Sequence, residues 1–292
     1  MNENDMLAQQ FEAHRTHLRA VAYRMLGSIG EAEDAVQESW LRLSRTDART
    51  VENLGGWLTT VVARVCLNML QSRRSRREDP LDAAVPDPIV TRADGSDPEH
   101  EAVLADSVGL ALLVVLGTLT PAERLAFVLH DMFAVPFEDI APIVERTPAA
   151  ARQLASRARR RLQGAPVPDT DPVRQRAVVD AFLAAARSGD FDALVAVLDP
   201  DVVLRADTGA LPAGASTMVR GSETVASRVL GFARLARFAH PALVNGAAGV
   251  VAISDGQLLS VMGVTIRRGK IVEIDILADR ERLAALVVEN LD

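Results

Sequence analysis

The sequence predicts a multidomain protein in which two all-α domains precede an α+β domain. Apolar residues recur at helical spacing through the first half of the chain, proline-rich stretches interrupt it twice, and strand-like apolar runs dominate after residue 200. The chain has 292 residues, enough for two or three domains of roughly 100–150 residues each. We expect helical domains at 1–78 and 99–164, linkers at 79–98 and 165–172, and the α+β domain at 173–292.

Helices alone are predicted for the first domain. Apolar residues recur at helical spacing over 31–43, and the outer face of that helix is acidic. Gly27 and Gly30 separate this helix from the preceding one, and a third helix runs from Trp57 to about Arg74. The third helix ends in an arginine cluster, which either holds a phosphate backbone or complements the helix dipole.

The linker at 79–98 contains four prolines, which exclude a continuous helix. The net charge of the chain is −7, and residues 79–120 alone contain eight acidic residues against one basic residue. The blocks on both sides are mildly basic. A local basic face matters more for DNA binding than total charge, so the acidity of the chain does not exclude nucleic acid.

The second helical domain contains the strongest local signal for DNA binding. Thr120 to Glu123 has the pattern of a helix start, and Thr147-Pro148 repeats the Thr-Pro pair after a short helix over 137–144. On a helical wheel, residues 147–162 have an alanine- and leucine-rich back and an arginine- and glutamine-rich front. Arginine and glutamine can read base edges, and the second helix of a helix-turn-helix enters the major groove. The alternative is an amphipathic helix whose charged face is merely solvated.

The last domain combines helices with strands. Helices are expected over about 173–188, 190–197 and 222–236, and strands over 202–204, 250–253, 258–266 and 271–276. Asp255-Gly256 and Arg268-Gly269 are hairpin turn signals.

Some classes of protein are excluded by composition. Cys66 is the only cysteine, so the chain has no disulfide framework and no thiolate metal site, and no cofactor is predicted. The N-terminus lacks the pattern of a signal peptide, and the longest apolar run, Leu110 to Leu116, is too short to cross a bilayer. We therefore expect a cytoplasmic protein without membrane contact.

Two separate motifs resemble extracytoplasmic-function (ECF) sigma factors of bacterial RNA polymerase. The stretch Glu31 to Leu43, followed by Gly56-Trp57-Leu58 and its helix, resembles region 2 of that family. Three further segments resemble region 4 of the same family, namely 119–124, 127–131 and 149–159. The last domain is similar to the SnoaL-like, NTF2-type extension of the actinobacterial SigI and SigJ types, so the resemblance spans essentially the whole chain.

The resemblance implies a subunit, without catalysis of its own, that directs core RNA polymerase to promoter DNA. The acidic helix would dock on polymerase through Asp34, Gln37, Glu38 and Leu41. The third helix would capture the −10 element through Trp57, Thr60, Arg64, Asn68, Gln71, Arg73 and Arg74, with a pocket for a flipped base in the loop 44–55. The helix-turn-helix would read the −35 element through Thr147, Pro148, Ala149, Ala150, Arg152, Gln153, Ser156, Arg157, Arg159 and Arg160. The acidic linker would thread a basic channel in polymerase.

Three short segments depart from the motifs of the SigJ type. The linker motif Trp-Leu-Pro-Glu-Pro is reduced to Val85-Pro86-Asp87-Pro88. The Asp-Gly-Gly-Gly-Lys-like loop is reduced to Asp207-Thr208-Gly209-Ala210, and the end motif Asn-Pro-Asp-Lys-Leu to Ala278-Asp279-Arg280. Regulation can therefore differ from that of the motif-complete members.

NTF2-type domains enclose a pocket, which leaves an enzyme or a regulator as the role of the last domain. The candidate acids and bases are Asp207, His240 and Asp275. The simpler interpretation is that Asp207 caps a turn, His240 ends a strand and Asp275 points to solvent on the same sheet face as Glu273. We expect a regulatory module that modulates the sigma domains and could take a small-molecule ligand.

Two other functions compete with this prediction. One is a helix-turn-helix transcriptional regulator with a ligand-sensing domain, and the other is an NTF2-type enzyme fused to a DNA-binding segment. The acidic helix over 31–43 favours the sigma factor, because a simple repressor needs no block that docks on polymerase.

Overall fold

A computed structural model of the chain describes residues 3–46, 53–75, 85–91, 109–163, 168–209 and 217–286. Contacts divide the chain into two units, one formed by 1–79 with 115–165 and the other by 80–114 with 166–292. Each unit is therefore built from two stretches that are distant in the sequence.

The N-terminal part of the first unit is all-helical, as predicted. Helices α1 (Glu3–Leu26), α2 (Ile29–Leu43) and α3 (Leu54–Ser75) pack against one another. Gly27 follows α1 with φ of 71°, a left-handed conformation that favours glycine and ends the helix. Gly30 lies inside α2, so the prediction that it separates the two helices is wrong.

The second helical stretch contains α4 (Leu110–Gly117), α5 (Pro121–Phe127), α6 (Phe137–Ile140) and α7 (Pro148–Leu162). A π-helical turn over Val128–Met132 continues α5. The predicted start of α5 is confirmed, because Thr120 and Glu123 form a reciprocal capping box. The short helix α6 ends four residues before the predicted end at 144. The predicted resumption of helix near residue 99 lies outside the described residues.

The second unit contains a mixed sheet with helices. The helices are α8 (Pro172–Ser188), α9 (Phe191–Val197), α10 (Ser222–Gly231), a 3₁₀ segment over Ala233–Phe238 and α11 (Arg280–Ala284). The strands are β1 (Val90–Thr91), β2 (Leu198–Asp207), β3 (Thr217–Arg220), β4 (Ala239–Val244), β5 (Ala247–Ser254), β6 (Gln257–Arg267) and β7 (Lys270–Leu277). Their order in the sheet is β1-β4-β5-β6-β7-β2-β3, and every neighbouring pair is antiparallel except β2 and β7.

One face of the sheet packs against helices α8, α9 and α10. The apolar core there includes Phe182, Leu194, Leu204, Val264 and Ile274. Side chains alternate along each strand, so the neighbouring residues of these core positions face the opposite side. This α+β architecture, a sheet with helices on one face, agrees with the predicted NTF2-like fold.

The four strands predicted in the last domain are confirmed, as are both hairpin turns, where Asp255 and Arg268 have φ of 52°. Three strands were missed, namely β1, β3 and β4. The helix predicted to reach residue 236 ends at Gly231 and gives way to the 3₁₀ segment. Among the described residues, no helix is long and apolar enough to cross a bilayer.

Candidate functional site

Helix α7 presents an arginine-rich front over a buried alanine back. The side chain of Thr147 caps the helix by accepting a hydrogen bond from the Ala150 N–H at 3.3 Å. The fully buried positions are Ala151, Ala155 and Ala158. The predicted −35 residues on the front are exposed at Thr147, Pro148, Ala149, Arg152, Gln153, Arg157 and Arg160, and half-buried at Ala150, Ser156 and Arg159. The small buried residues bring the helix backbone close to its own domain.

Two arginines near the end of α7 are bound within the helical unit. Arg159 Nε lies 2.7 Å from Asp131 Oδ1, and Arg161 Nη1 lies 3.0 Å from Glu123 Oε2. These ion pairs orient the helix against the preceding helices. Arg159, which was predicted to contact DNA, is half-buried and paired with Asp131.

Helix α3 carries the predicted −10 residues along one side. Arg64, Asn68, Gln71 and Arg74 are exposed, whereas Trp57 and Arg73 are half-buried. Arg73 forms an ion pair with Glu31 of α2. The hydroxyl of Thr60 donates to the Gly56 carbonyl oxygen at 3.0 Å, and Arg64 Nη2 lies 3.4 Å from the Pro142 carbonyl oxygen. Most of the predicted base pocket in the loop before α3 lies outside the described residues.

The acidic helix α2 exposes Asp34, Gln37 and Leu41, while Glu38 is half-buried and pairs with Arg42 at 2.9 Å. A groove of about 370 Å³ runs between α2 and α3. The groove is lined by Glu31, Glu38, Arg42, Val65, Asn68, Met69, Ser72 and Arg73. Glu38, Asn68 and Arg73 were each predicted as site residues, but the sequence did not predict that they line one groove.

The three candidate acids and bases of the last domain do not form one site. His240 is exposed on β4, and β5 and β6 lie between that strand and β7, which carries Asp275. Asp207 and Asp275 lie on adjacent strands, yet each contacts a different arginine. The described residues therefore offer no paired acid and base among these three.

Asp275 is buried, so the expectation that it points to solvent is wrong. It is 2% exposed and accepts a hydrogen bond from Arg205 Nη1 at 2.9 Å. Arg205 Nη2 lies 3.3 Å from Glu273 Oε1, which confirms that the two carboxylates share a sheet face. Burial raises the pKa of Asp275 to about 6, although the Arg205 guanidinium opposes this shift. The other carboxylate oxygen of Glu273 is buried and has no hydrogen-bond partner among the described residues.

Arg282 binds the linker to the sheet within the second unit. Its Nε lies 2.7 Å from Asp87 Oδ1 and its Nη1 lies 2.8 Å from Asp207 Oδ2, and Nη2 donates to the Val85 carbonyl oxygen at 2.6 Å. The Val85 N–H donates to Asp207 Oδ2 at 3.2 Å. Asp207 also caps its own turn, accepting from the Gly209 N–H at 3.1 Å.

The three segments that depart from the SigJ-type motifs thus meet at one place. The linker segment over 85–88 and the loop after β2 are joined through Arg282. The third segment is adjacent, because a side chain added at Gly209 would collide with the carboxylate of Asp279. The departures from the SigJ-type motifs had marked these three segments in the sequence. The sequence alone did not predict that the segments lie close together.

Strand β1 and the first residue of α4 also contact the sheet within the second unit. Strand β1 pairs with β4, and the Ile89 N–H donates to Asn245 Oδ1 at 3.1 Å. Gly249 and Gly263 are directly opposite each other on β5 and β6. A Cβ atom at Gly263 would lie 2.8 Å from Leu110 Cδ2, so the first residue of α4 packs where the sheet lacks a side chain.

Comparison with known proteins gives two family matches in the helical part. Residues 10–76 match Sigma-70 region 2, and residues 109–162 match Sigma-70, region 4. The chain is 40% identical to the ECF RNA polymerase sigma factor SigJ of Mycobacterium tuberculosis, over 91% of this chain and 89% of that relative. It is 36% identical to the probable ECF sigma factor SigI of the same species, over 99% of both chains.

The whole fold is also similar to a solved structure. The crystal structure of M. tuberculosis SigJ matches with a TM-score of 0.76 and 36% identity. The match covers 97% of this chain and 100% of that one.

Proposed function

The chain belongs to the family of ECF RNA polymerase sigma factors, and we propose that it directs core polymerase to specific promoters through three helices. Helix α2 docks on polymerase through Asp34, Gln37, Glu38 and Leu41. Helix α3 captures the −10 element through the predicted residues from Trp57 to Arg74, and α7 reads the −35 element. A cytoplasmic location follows from this partner.

The observation that carries the proposal is the front of α7. Arg152 and Gln153 are exposed near the N-terminal end of the second helix of a helix-turn-helix, where such helices contact base edges. Arg157 and Arg160 are exposed farther along and suit phosphate contacts. A simple helix-turn-helix regulator would leave the region 2 match over 10–76 without a role.

The last domain acts as a regulator in this proposal. The linker between regions 2 and 4 is hydrogen-bonded to its sheet at Val85, Asp87 and Ile89, which supports a role in controlling the linker. The family acts in transcription without catalysis, and the separation of Asp207, His240 and Asp275 supports a regulator over an enzyme. A small-molecule ligand of this domain would act by favouring the held or the released linker.

In vitro transcription with core RNA polymerase tests the proposal. The full chain and a truncation after residue 165 are compared on the protein's own upstream region and a promoter library. We expect discrete start sites that require the chain, and altered output from the truncation. Arg152→Ala should lower output, whereas Arg174→Ala, at an exposed arginine of α8, serves as the matched control. No start sites and no binding to core polymerase would refute the sigma function, and unchanged output from the truncation would refute the regulatory role.

A further inference from the structure

An aromatic stack lies beside the N-terminal half of α7. The rings of His130 and Phe137 are stacked, with centroids 3.8 Å apart and planes at 27°. The central guanidinium carbon of Arg152 lies over the Phe137 ring, 5.2 Å from its centre. Phe137 begins α6, so an aromatic side chain of the first helix contacts an arginine of the second.

The two rings are fixed relative to the backbone. Phe137 is only 7% exposed, and His130 Nδ1 donates to the Val135 carbonyl oxygen at 3.1 Å. A carbonyl oxygen can only accept, so this contact places the hydrogen on Nδ1 and fixes the ring orientation. Arg152 is exposed, so its guanidinium is both supported from below and accessible from outside.

A supported arginine selects bases better than an unsupported one. The side chain has several rotatable bonds, and ordering it on DNA costs conformational entropy. A guanidinium over an aromatic face is restrained by the cation–π attraction, while its edge N–H groups stay available for a bidentate contact. Restraint that exists before binding reduces the entropy lost on binding.

We propose that Phe137 is a positioning residue for Arg152, which it holds over its ring so that the guanidinium selects a base pair of the −35 element. The proposal rests on the proposed −35 role of α7. Arg159 depends on another support, its ion pair with Asp131, so the effect of Phe137 should be confined to Arg152.

Competitive transcription by the reconstituted holoenzyme, on a library randomised across the −35 element, tests this assignment. The variants are Phe137→Leu, which removes the ring but keeps an apolar side chain, Phe137→Tyr, which keeps the ring, and Arg152→Ala. The matched control is Arg160→Ala, at an exposed arginine of the same helix that does not contact Phe137 in the part of the chain that the structure describes. Two double variants complete the set, in which Phe137→Leu is combined with Arg152→Ala or with Arg160→Ala. Thermal melting checks that each variant is folded.

We expect Phe137→Leu to weaken base preference at the same position as Arg152→Ala, by roughly two- to fivefold, the size of an exposed cation–π contact. Phe137→Tyr should keep the preference. Adding Phe137→Leu to Arg152→Ala should have no further effect on preference, whereas its effect should multiply with that of Arg160→Ala.

Three results would overturn the assignment. Phe137→Leu could lower transcription equally on all sequences, which is the result of a merely structural role. It could also leave the base preference unchanged while Arg152→Ala alters it. Wild-type start sites with no change of preference in Arg152→Ala would likewise refute it, whereas the absence of any wild-type start site would refute the sigma function itself.

Discussion

Replacing Arg282 with methionine tests how strongly the linker is held on the sheet of the second unit. The guanidinium contacts Asp87, Asp207 and the Val85 carbonyl oxygen at distances between 2.5 and 2.8 Å. Asp87 is 7% exposed and Asp207 is 9% exposed. Methionine keeps an apolar stem and removes the charge, so both buried carboxylates lose the cation they share.

The magnitude follows from burial. Removing one partner of a fully buried ion pair costs about 3–5 kcal/mol. The Arg282 side chain is 30% exposed, so solvent screening reduces the expected loss to about 2 kcal/mol. Since about 1.4 kcal/mol is a factor of ten, the population with a released linker should rise roughly 30-fold.

Hydrogen exchange measures that population at single amides. The Val85 N–H donates to Asp207 of β2 and the Ile89 N–H donates to Asn245 in the turn between β4 and β5. Exchange of both should accelerate roughly 30-fold in Arg282→Met. Arg280→Met, at an exposed arginine of the same helix, should leave it unchanged. Adding Asp87→Asn to Arg282→Met should recover part of the protection, because it removes one uncompensated charge. An equal effect in Arg280→Met, or no effect in Arg282→Met, would refute the reasoning.

The remaining predictions concern the second unit and one helix start. The pKa of Asp275 is raised by burial from 3.8 to about 6, so stability from this group is fully present below pH 4 and is lost as pH rises through 6. Hydrogen exchange of β6 and β7 should show a loss of about 3 kcal/mol that is absent in Asp275→Asn, and an identical pH profile in both proteins would contradict this. Gly249→Ala should lower the exchange protection of β5 by about 3 kcal/mol, and Gly263→Ala by about 1 kcal/mol. The difference arises because a Cβ at Gly249 would lie 2.7 Å from a backbone oxygen, whereas a Cβ at Gly263 would meet a leucine methyl group. The reverse order would refute the steric account. Thr120→Ala should cost about 1 kcal/mol in exchange protection of α5, while Thr118→Ala, just outside the capping box, should cost less.

Helical periodicity was sufficient to predict the elements that carry the candidate DNA and polymerase contacts. Helices α2, α3 and α7 each bury one face against their own unit, so the pattern of apolar residues in the sequence reflects the packing directly. The starts of α5 and α7 were also predicted, because a Thr-Pro pair caps a helix through hydrogen bonds between residues that are close in the sequence. The aromatic support of Arg152 was not predicted, because it joins two helices across a turn.

The missed strands depend on contacts that the sequence does not display. Strand β4 contains Pro241, which usually argues against a central strand. The structure accommodates it because β1 pairs only with Val244 and Leu243, so β4 is an edge strand at Pro241 within the described residues. Strand β1 itself is two residues long and lies in a proline-rich segment, and its position depends on hydrogen bonds with residues far along the chain.

Asp275 illustrates the same limit for site residues. The alternation of Glu273 and Asp275 with apolar residues predicted correctly that they share a face, but not that the face is buried. Their burial depends on Arg205, which is 70 residues away in sequence and adjacent through the parallel pairing of β2 with β7. A buried carboxylate needs such a partner, and sequence spacing cannot identify it.

Salt distinguishes two kinds of contact that join the stretch 80–114 to the sheet within the second unit. The contribution of Arg282 is electrostatic and partly exposed, so it should weaken as ionic strength rises. The packing of Leu110 against Gly263 is apolar and should not weaken with salt. The ratio of exchange rates at Val85 between Arg282→Met and the wild type should therefore shrink toward one as salt is added. A ratio that stays constant would mean that Arg282 acts through packing of its stem, and the proposed charge-based hold on the linker would then be wrong.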